Sequence, residues 1–228
     1  LSLDASYGVQ NAWKQLDLLN TEQYLQYGEE MLTNGGLELP YRFTNMNEPI
    51  YEGASQTYAQ TDTDWQDEMF RTAPMSQLNI NFSGGNDKSK FYTSYGRFSQ
   101  DGIMLGTDFK RHSFRLNTNN KLGKFLTIGE NLNISYSEMS RQRVAGGRTL
   151  VKHIFNSSPF SPVYNPTNKG GFGGAESTDG SDAENPVRIS KVEKNQSNIV
   201  NVVGNVYAEL NFTDWLSFRS TFGAEYTA

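Results

Sequence analysis

The 228-residue chain contains no cysteine, which removes disulfides and thiolate metal sites and suits an oxidising compartment. Charge of one sign is also lacking. Twenty basic and 25 acidic residues leave a formal net charge of -5 without like-charge runs, and a nucleic-acid surface needs clustered Lys and Arg. No stretch approaches the ~18 apolar residues of a membrane helix, and no signal peptide is present. There are two histidines, His112 and His153, and neither has a carboxylate at metal-ligand spacing. Both are expected to be structural, and no catalytic constellation, metal site or cofactor site emerges.

Other suggestive segments reduce to loops. Gly170-Gly171-Phe172-Gly173-Gly174 is not a phosphate loop, because no Lys-Ser/Thr follows and no helix opens there. Asp179, Asp182 and Glu184 cluster without the pattern of a calcium loop, and read as a solvated acidic segment. Residues 164–186, rich in Gly, Asn, Ser and Asp, read as an exposed loop.

What is present is two-residue alternation. Leu126, Ile128, Leu132, Ile134 and Tyr136 share one face, with Glu130 the exception, against Thr127, Gly129, Asn131, Asn133, Ser135 and Ser137. Val200, Val202, Val206, Ala208 and Leu210 oppose Asn201, Asn205, Tyr207, Glu209 and Asn211. Leu216, Phe218, Phe222, Ala224 and Tyr226 oppose Ser217, Arg219, Thr221, Gly223 and Glu225. Weaker alternation covers 1–8, 77–83 and 109–117, where Phe114 and Leu116 oppose Arg111 and Arg115. Residues 89–100 are aromatic at both parities, which leaves their phase open.

A soluble sandwich also alternates, but its strands run ~5–6 residues, whereas a membrane strand needs ~9–11. The runs 126–138 and 199–211 reach membrane length. A mean hydropathy of -0.63 fits a barrel as well as a soluble protein, because only alternate residues of a barrel strand face lipid. Connections at about 84–88, 119–124 and 213–214 are short, while 11–73, about 101–106 and about 140–195 lie at the opposite end. Phe125 and Trp215 follow short turns, where an interfacial aromatic girdle lies. The fold expected is all-β: a partial antiparallel transmembrane β-barrel of about seven strands, with long extracellular loops carrying short helices. Those helices are expected after capping boxes at Asn20–Gln23 and Thr63–Gln66, and more weakly over 145–155. Tyr24, Tyr27 and Met31 are expected on one face of the first, and Trp65 and Met69 on the apolar face of the second. Seven strands do not close a bacterial barrel of even strand number, so residues 1–228 read as a barrel fragment that would aggregate alone in water.

Several segments resemble the SusC/RagA family of TonB-dependent outer-membrane proteins. They are Asp64-Trp65-Gln66-Asp67-Glu68-Met69-Phe70-Arg71-Thr72-Ala73-Pro74, Ser83-Gly84-Gly85-Asn86-Asp87-Lys88-Ser89-Lys90-Phe91-Tyr92, and Gln100-Asp101-Gly102-Ile103 through Phe109-Lys110-Arg111. Ala5-Ser6-Tyr7-Gly8-Val9-Gln10 and Leu16-Asp17-Leu18-Leu19-Asn20 resemble the family's barrel opening. The resemblance implies import of oligosaccharides or peptides across a Bacteroidetes-type outer membrane, with no enzyme activity. It implies a SusD-like surface lipoprotein and TonB as partners, with TonB engaged through a region that precedes the barrel. On that resemblance the plug domain and remaining strands are absent from 1–228. A soluble all-β glycan-binding or adhesin module, or a passive porin, are the alternatives. Trp13, Tyr41, Phe43, Tyr51, Tyr58 and Tyr164 fall in the long connections and are candidate ligand contacts through aromatic stacking. Arg111, Arg115, Glu209, Arg219 and Glu225 point to the polar side by phase, toward a lumen or a plug.

Overall fold

A computed structural model describes residues 1–143, 146–175 and 181–228. Seven strands, β1 (Ser2–Gln10), β2 (Ala73–Gly85), β3 (Ser89–Asp101), β4 (Asp108–Leu122), β5 (Leu126–Ser140), β6 (Gln196–Thr213) and β7 (Leu216–Thr227), form one antiparallel sheet. Each strand pairs with its neighbour in sequence, so the order is β1 to β7 without a crossover. The sheet is open, and β1 and β7 are its edges. Turns 86–88, 123–125 and 214–215 lie at one end, while connections 11–72, 102–107 and 141–195 lie at the other.

Pairing carries each alternating sequence across the sheet, because partners directly opposite share a face. One register row runs Leu3, Ile80, Tyr95, Phe114, Ile134, Val202, Tyr226, apolar or aromatic on all seven strands. The same pairing settles 89–100: Phe91 and Tyr95 join the apolar face, and Tyr92 and Phe98 the polar one. On β5 the apolar face runs from Leu126 to Tyr136. Ten residue steps at ~3.3 Å make that face about 33 Å long along the strand.

The chain's buried apolar residues lie almost entirely in the connections. Trp65, Met69, Leu150, Ile154, Val163, Val187 and Ile189 form one cluster. Ile50, Tyr58 and Phe160 form the centre of another. Ala73, the first residue of β2, is the one strand residue among the buried hydrophobics. Among the described residues the sheet therefore has no protein layer on its apolar face, and Phe82, Phe114, Ile134, Val206, Phe222 and Tyr226 are all exposed.

Helices organise the connections into a cap over one end of the sheet. Helix α1 (Thr21–Asn34) starts at the expected capping box, in which Asn20 accepts from Gln23 N and Gln23 accepts from Asn20 N. Its inward face is Thr21, Tyr24, Leu25 and Gly28, with Phe43 packed against Gly28 so closely that a Cβ would not fit. Tyr27 and Met31 point outward, contrary to the expected grouping with Tyr24, because the buried stripe follows i, i+3, i+4, i+7 from Thr21. A one-turn helix α2 (Tyr41–Thr44) follows.

Helix α3 (Trp65–Met69) is capped by Asp64, whose carboxylate accepts from Gln66 N and Asp67 N. The expected cap Thr63 is otherwise engaged, donating its hydroxyl to Ser161 O at 2.8 Å. Helix α4 (Leu150–Asn156) is shorter than the 145–155 expectation, because Thr149 caps it; residues 144–145 lie outside the described part. Helix α5 (Pro186–Val192) was not expected. Its lead-in narrows the exposed-loop reading of 164–186: 164 and 166–170 are exposed as expected, 176–180 lie outside the described residues, and the stretch just before the helix is packed. Asn185 is buried and donates to Val163 O and Gly173 O at 2.8 and 2.9 Å, and Ala183 is buried beside it.

Candidate functional site: the polar wall and its cap

The polar face of the sheet is rich in amides and hydroxyls, with charged side chains spaced among them. Asn117, Asn131 and Asn205 stand in one register row across β4, β5 and β6, and Asn131 donates to Asn205 at 2.9 Å. Tyr92 donates to Asn81 at 2.9 Å, and Asn81 in turn to Ser2 at 3.1 Å. Small groups make room for this network. Gly129 carries the Tyr207 ring directly over it, and the ring's hydroxyl accepts from Asn119 at 2.8 Å.

The five residues expected on the polar side all lie there by register. Arg219 stacks on Tyr207, 3.7 Å from the ring centroid, and lies 3.8 Å from Glu209. Those three form one cluster at the short-turn end. Arg111 and Arg115 stand apart on β4, and Glu225 lies in the Arg115 row three strands away. His112 is on the opposite face, 2.7 Å from the Tyr95 hydroxyl.

The aromatic candidates in the connections separate into two kinds. Phe43, Tyr51 and Tyr58 pack in the cap around Phe160, and Tyr58 is only 8% exposed. Trp13 is 94% exposed, Tyr41 gives its hydroxyl to Glu48 at 3.0 Å, and Tyr164 receives Lys191 Nζ at 2.7 Å while packing on Phe172. The Tyr41 hydrogen bond to the Glu48 carboxylate raises the phenol's pKa. The structure does not gather these six around one cavity. A cleft of about 360 Å³ lies instead between Leu16–Asn20, Asp62–Gln66 and the 155–159 segment. Its aromatic walls are Tyr24, Trp65 and Phe155. Sequence reasoning missed it as a cleft because its walls come from segments about 90 residues apart, tied by Trp65 Nε1 donating to Ser158 O.

Asp182 and Glu184 are ion-paired. Lys152 lies 3.5 Å from Asp182, and Arg148 and Arg188 both reach Glu184. Burial works against the Glu184 carboxylate, but the two guanidiniums outweigh it and lower its pKa. Asp179 lies outside the described residues. Among the described residues no group of three or more His, Asp or Glu is placed to hold a metal ion. His153 is 1% exposed and its Nδ1 accepts from Glu184 N at 2.9 Å, so the imidazole joins α4 to the lead-in of α5. Burial holds its pKa below the usual histidine value.

No protein-family profile matches the chain. It is 27% identical over 233 aligned positions to TonB-dependent receptor P3 of Formosa agariphila, covering 98% of this chain and 20% of that protein. It is 23% identical over 246 positions to TonB-dependent receptor SusC of Bacteroides thetaiotaomicron, covering 99% of this chain and 22% of that one. Among solved structures, the RagAB peptide transporter superposes with a TM-score of 0.71 at 23% identity, over 99% of this chain and 28% of that one. The RagAB peptide importer in its "open-open" state gives 0.69 at 21% identity, over 99% and 27%. The chain thus spans about a fifth of the length of these curated relatives. By sequence along nearly its whole length the chain is similar to one stretch of the TonB-dependent receptors P3 and SusC, and along 99% of it the fold is that of one stretch of the RagAB structures.

Proposed function

We propose that residues 1–228 form a stretch of the wall of an outer-membrane β-barrel that belongs to a TonB-dependent importer. The observation that carries this reading is the seven-strand apolar row from Leu3 to Tyr226 on a sheet face that no protein layer covers. An exposed apolar band of this extent in water marks an interaction surface or an aggregation hazard, and in a bilayer it is the lipid face. The opposite amide and hydroxyl wall lines the lumen. The asymmetry of the connections orients the sheet, with the short turns periplasmic and the packed cap extracellular. The barrel sits in the outer membrane of a Bacteroidetes-type cell, and the closing strands come from outside this stretch.

The likeness to SusC and RagAB supports nutrient uptake rather than catalysis. The cargo is an oligosaccharide or a peptide. A SusD-like lipoprotein covers the cap, and TonB supplies energy through a region beyond residues 1–228. Of the six candidate aromatics, Trp13, Tyr41 and Tyr164 are exposed enough to meet cargo or lipoprotein, while Phe43, Tyr51 and Tyr58 hold the cap's shape. The test is fractionation of the full-length protein from native cells. Recovery in the outer membrane with heat-modifiable mobility, and a lipoprotein partner on purification, supports the reading. Recovery as a soluble monomer would end it. Uptake that persists after the inner membrane is de-energised would favour a passive porin.

A further inference from the structure

The apolar face of the sheet carries its charges at one end. Its ionisable residues are Arg97 and Asp101 on β3, Asp108, Lys110 and His112 on β4, and Glu130 and Glu138 on β5. All but Glu130 stand in the three register rows next to the cap. Two of the acids there are already engaged. Asp101 pairs with Arg71 at 3.6 Å, and Glu138 accepts the Tyr136 hydroxyl at 2.9 Å. Lys110 has Glu138 opposite it and Asp108 two residues along its own strand. Arg97 has no acid beside it. The residues opposite it are Leu78 and His112, and those diagonal to it are Ser76, Ile80, Lys110 and Phe114. Glu138, two strands and one row away, is about 12 Å distant. Arg97 is exposed, and among the described residues it makes no ion pair or hydrogen bond.

Arg97 also stands within the apolar band rather than above it. Its register row runs Ala5, Leu78, Arg97, His112, Tyr136, Val200, so the strands on either side are still apolar or aromatic at that level. A guanidinium at the rim of such a band either bends its tip toward the headgroups or draws an anion down to it. His112 is directly opposite, with Cα atoms about 5 Å apart. Its Nδ1 lies 2.7 Å from the Tyr95 hydroxyl. With the tyrosine assigned as donor, the hydrogen of the neutral ring is on Nε2, which becomes the ring's donor. Lys110 adds an ammonium about 7 Å along β4. A guanidinium fork, an imidazole N–H and an ammonium together suit the oxygens of a phosphate. The next row toward the short turns holds Ile80, Tyr95, Phe114 and Ile134, an apolar strip that suits acyl chains.

We propose that Arg97 and His112, with Lys110 above them, bind the phosphate of an anionic lipid in the extracellular leaflet, whose acyl chains lie along the Tyr95–Phe114 strip. The proposal rests on the barrel reading and the orientation given above. A free anion would meet the cations but leave the strip uncovered, and cargo in the lumen is on the other side of the sheet. The lipid matches both parts of the surface, and it supplies the counter-charge that the protein does not give Arg97.

The test uses the full-length protein, purified in a neutral detergent and followed by native mass spectrometry. Two lipids of equal chain length are added: dimyristoyl phosphatidic acid, which bears a phosphate monoester, and dimyristoyl phosphatidylcholine, which is zwitterionic. The first phosphatidic acid is expected to bind about tenfold more tightly than phosphatidylcholine, the factor of one charge-assisted hydrogen bond. Arg97→Gln should bring that ratio close to one, and Lys110→Gln should lower it by less. Lys121→Gln removes the same charge from the polar face and should leave the ratio unchanged. Inorganic phosphate in large excess should not displace the lipid. Equal binding of the two lipids, a ratio untouched by Arg97→Gln, a ratio lowered as much by Lys121→Gln, or displacement by inorganic phosphate would overturn the proposal. Heat-modifiable mobility is measured on the same samples. If the unmodified protein lacks it, the barrel reading itself has failed, whereas a heat-modifiable barrel without lipid preference sinks this proposal alone.

Discussion

A single arginine placed on alternate residues of β5 should give opposite results. Leu132 lies on the apolar face between Leu116 and Gly204. It stands six residues from Leu126, about 20 Å along the strand, or about 15 Å of height at ~40° tilt. That is close to the middle of the ~25 Å band. Leu132→Arg should therefore cost the assembled barrel about 2–4 kcal/mol, a factor of roughly 30 to 1,000 in the folded population. Ser135 lies on the other face between Ser113 and Asn201, with no acid beside it and Arg111 and Arg115 at the diagonal positions on β4, whose exposed like charges add only a few tenths of a kcal/mol. Ser135→Arg should cost well under 1 kcal/mol, as surface substitutions do. The assay is the heat-modifiable fraction of the full-length protein in isolated outer membranes, with a urea titration of each variant in detergent-free vesicles. The reasoning is refuted if Ser135→Arg is as damaging as Leu132→Arg, or if the order is reversed. Val206 is a poorer position for the same test, because Glu130 stands directly opposite and would pair with the introduced arginine.

Three further outcomes follow from the cap and the wall. Phe160 is fully buried, with Tyr24, Phe43 and Tyr58 rings 5.8, 6.0 and 6.4 Å away; Phe160→Ala should cost the cap about 3–5 kcal/mol. Limited proteolysis should then cut the connections while the strands survive. The His153 Nδ1 can accept from Glu184 N only when unprotonated, and its folded pKa lies below the usual 6.5. Its contribution is thus present above pH ~6.5 and lost as pH falls through the folded value. Protection factors for amides in 150–156 and 182–192, taken relative to the intrinsic exchange rate at each pH, should be lower at pH 5 than at pH 7, and unchanged protection would contradict this. Gly129→Ala should push the Tyr207 ring off the strand and break its hydrogen bond from Asn119, at about 1–3 kcal/mol. Urea midpoints of the assembled barrel measure that loss.

The strands were legible because a sheet with one apolar and one polar face imposes a period of two that needs no tertiary information. Residues 89–100 were not, since Phe91, Tyr92, Tyr95 and Phe98 occupy both parities. Only the partner strands decide, through Tyr92 on Asn81 and Tyr95 beside Phe114. Helix α1 was legible from a capping box that acts within four residues. The cap of α3 was displaced by one residue because Thr63 is recruited by Ser161, almost a hundred residues on. Helix α5 had a local signal that went unread: Asn185 as N-cap and Pro186 in the first turn. It was masked by the polar, glycine-rich composition before it. The burial of Phe160, Val163 and Ala183 was not legible at all, because the layer that covers them is built from other connections. The polar wall was readable residue by residue, but the isolation of Arg111 and Arg115 depends on register across the sheet.

The absence of cysteine makes the central claim directly measurable. Single cysteines at residues 131 to 136 of the full-length protein, if it has no cysteine elsewhere or after any are replaced, can carry a nitroxide label in reconstituted vesicles. The accessibility of each label to oxygen, which partitions into lipid, is compared with its accessibility to a water-soluble nickel chelate. The account predicts oxygen-dominated labels at 132, 134 and 136 and nickel-dominated labels at 131, 133 and 135. Uniform access to the chelate at all six positions, or the opposite phase, would contradict a membrane wall.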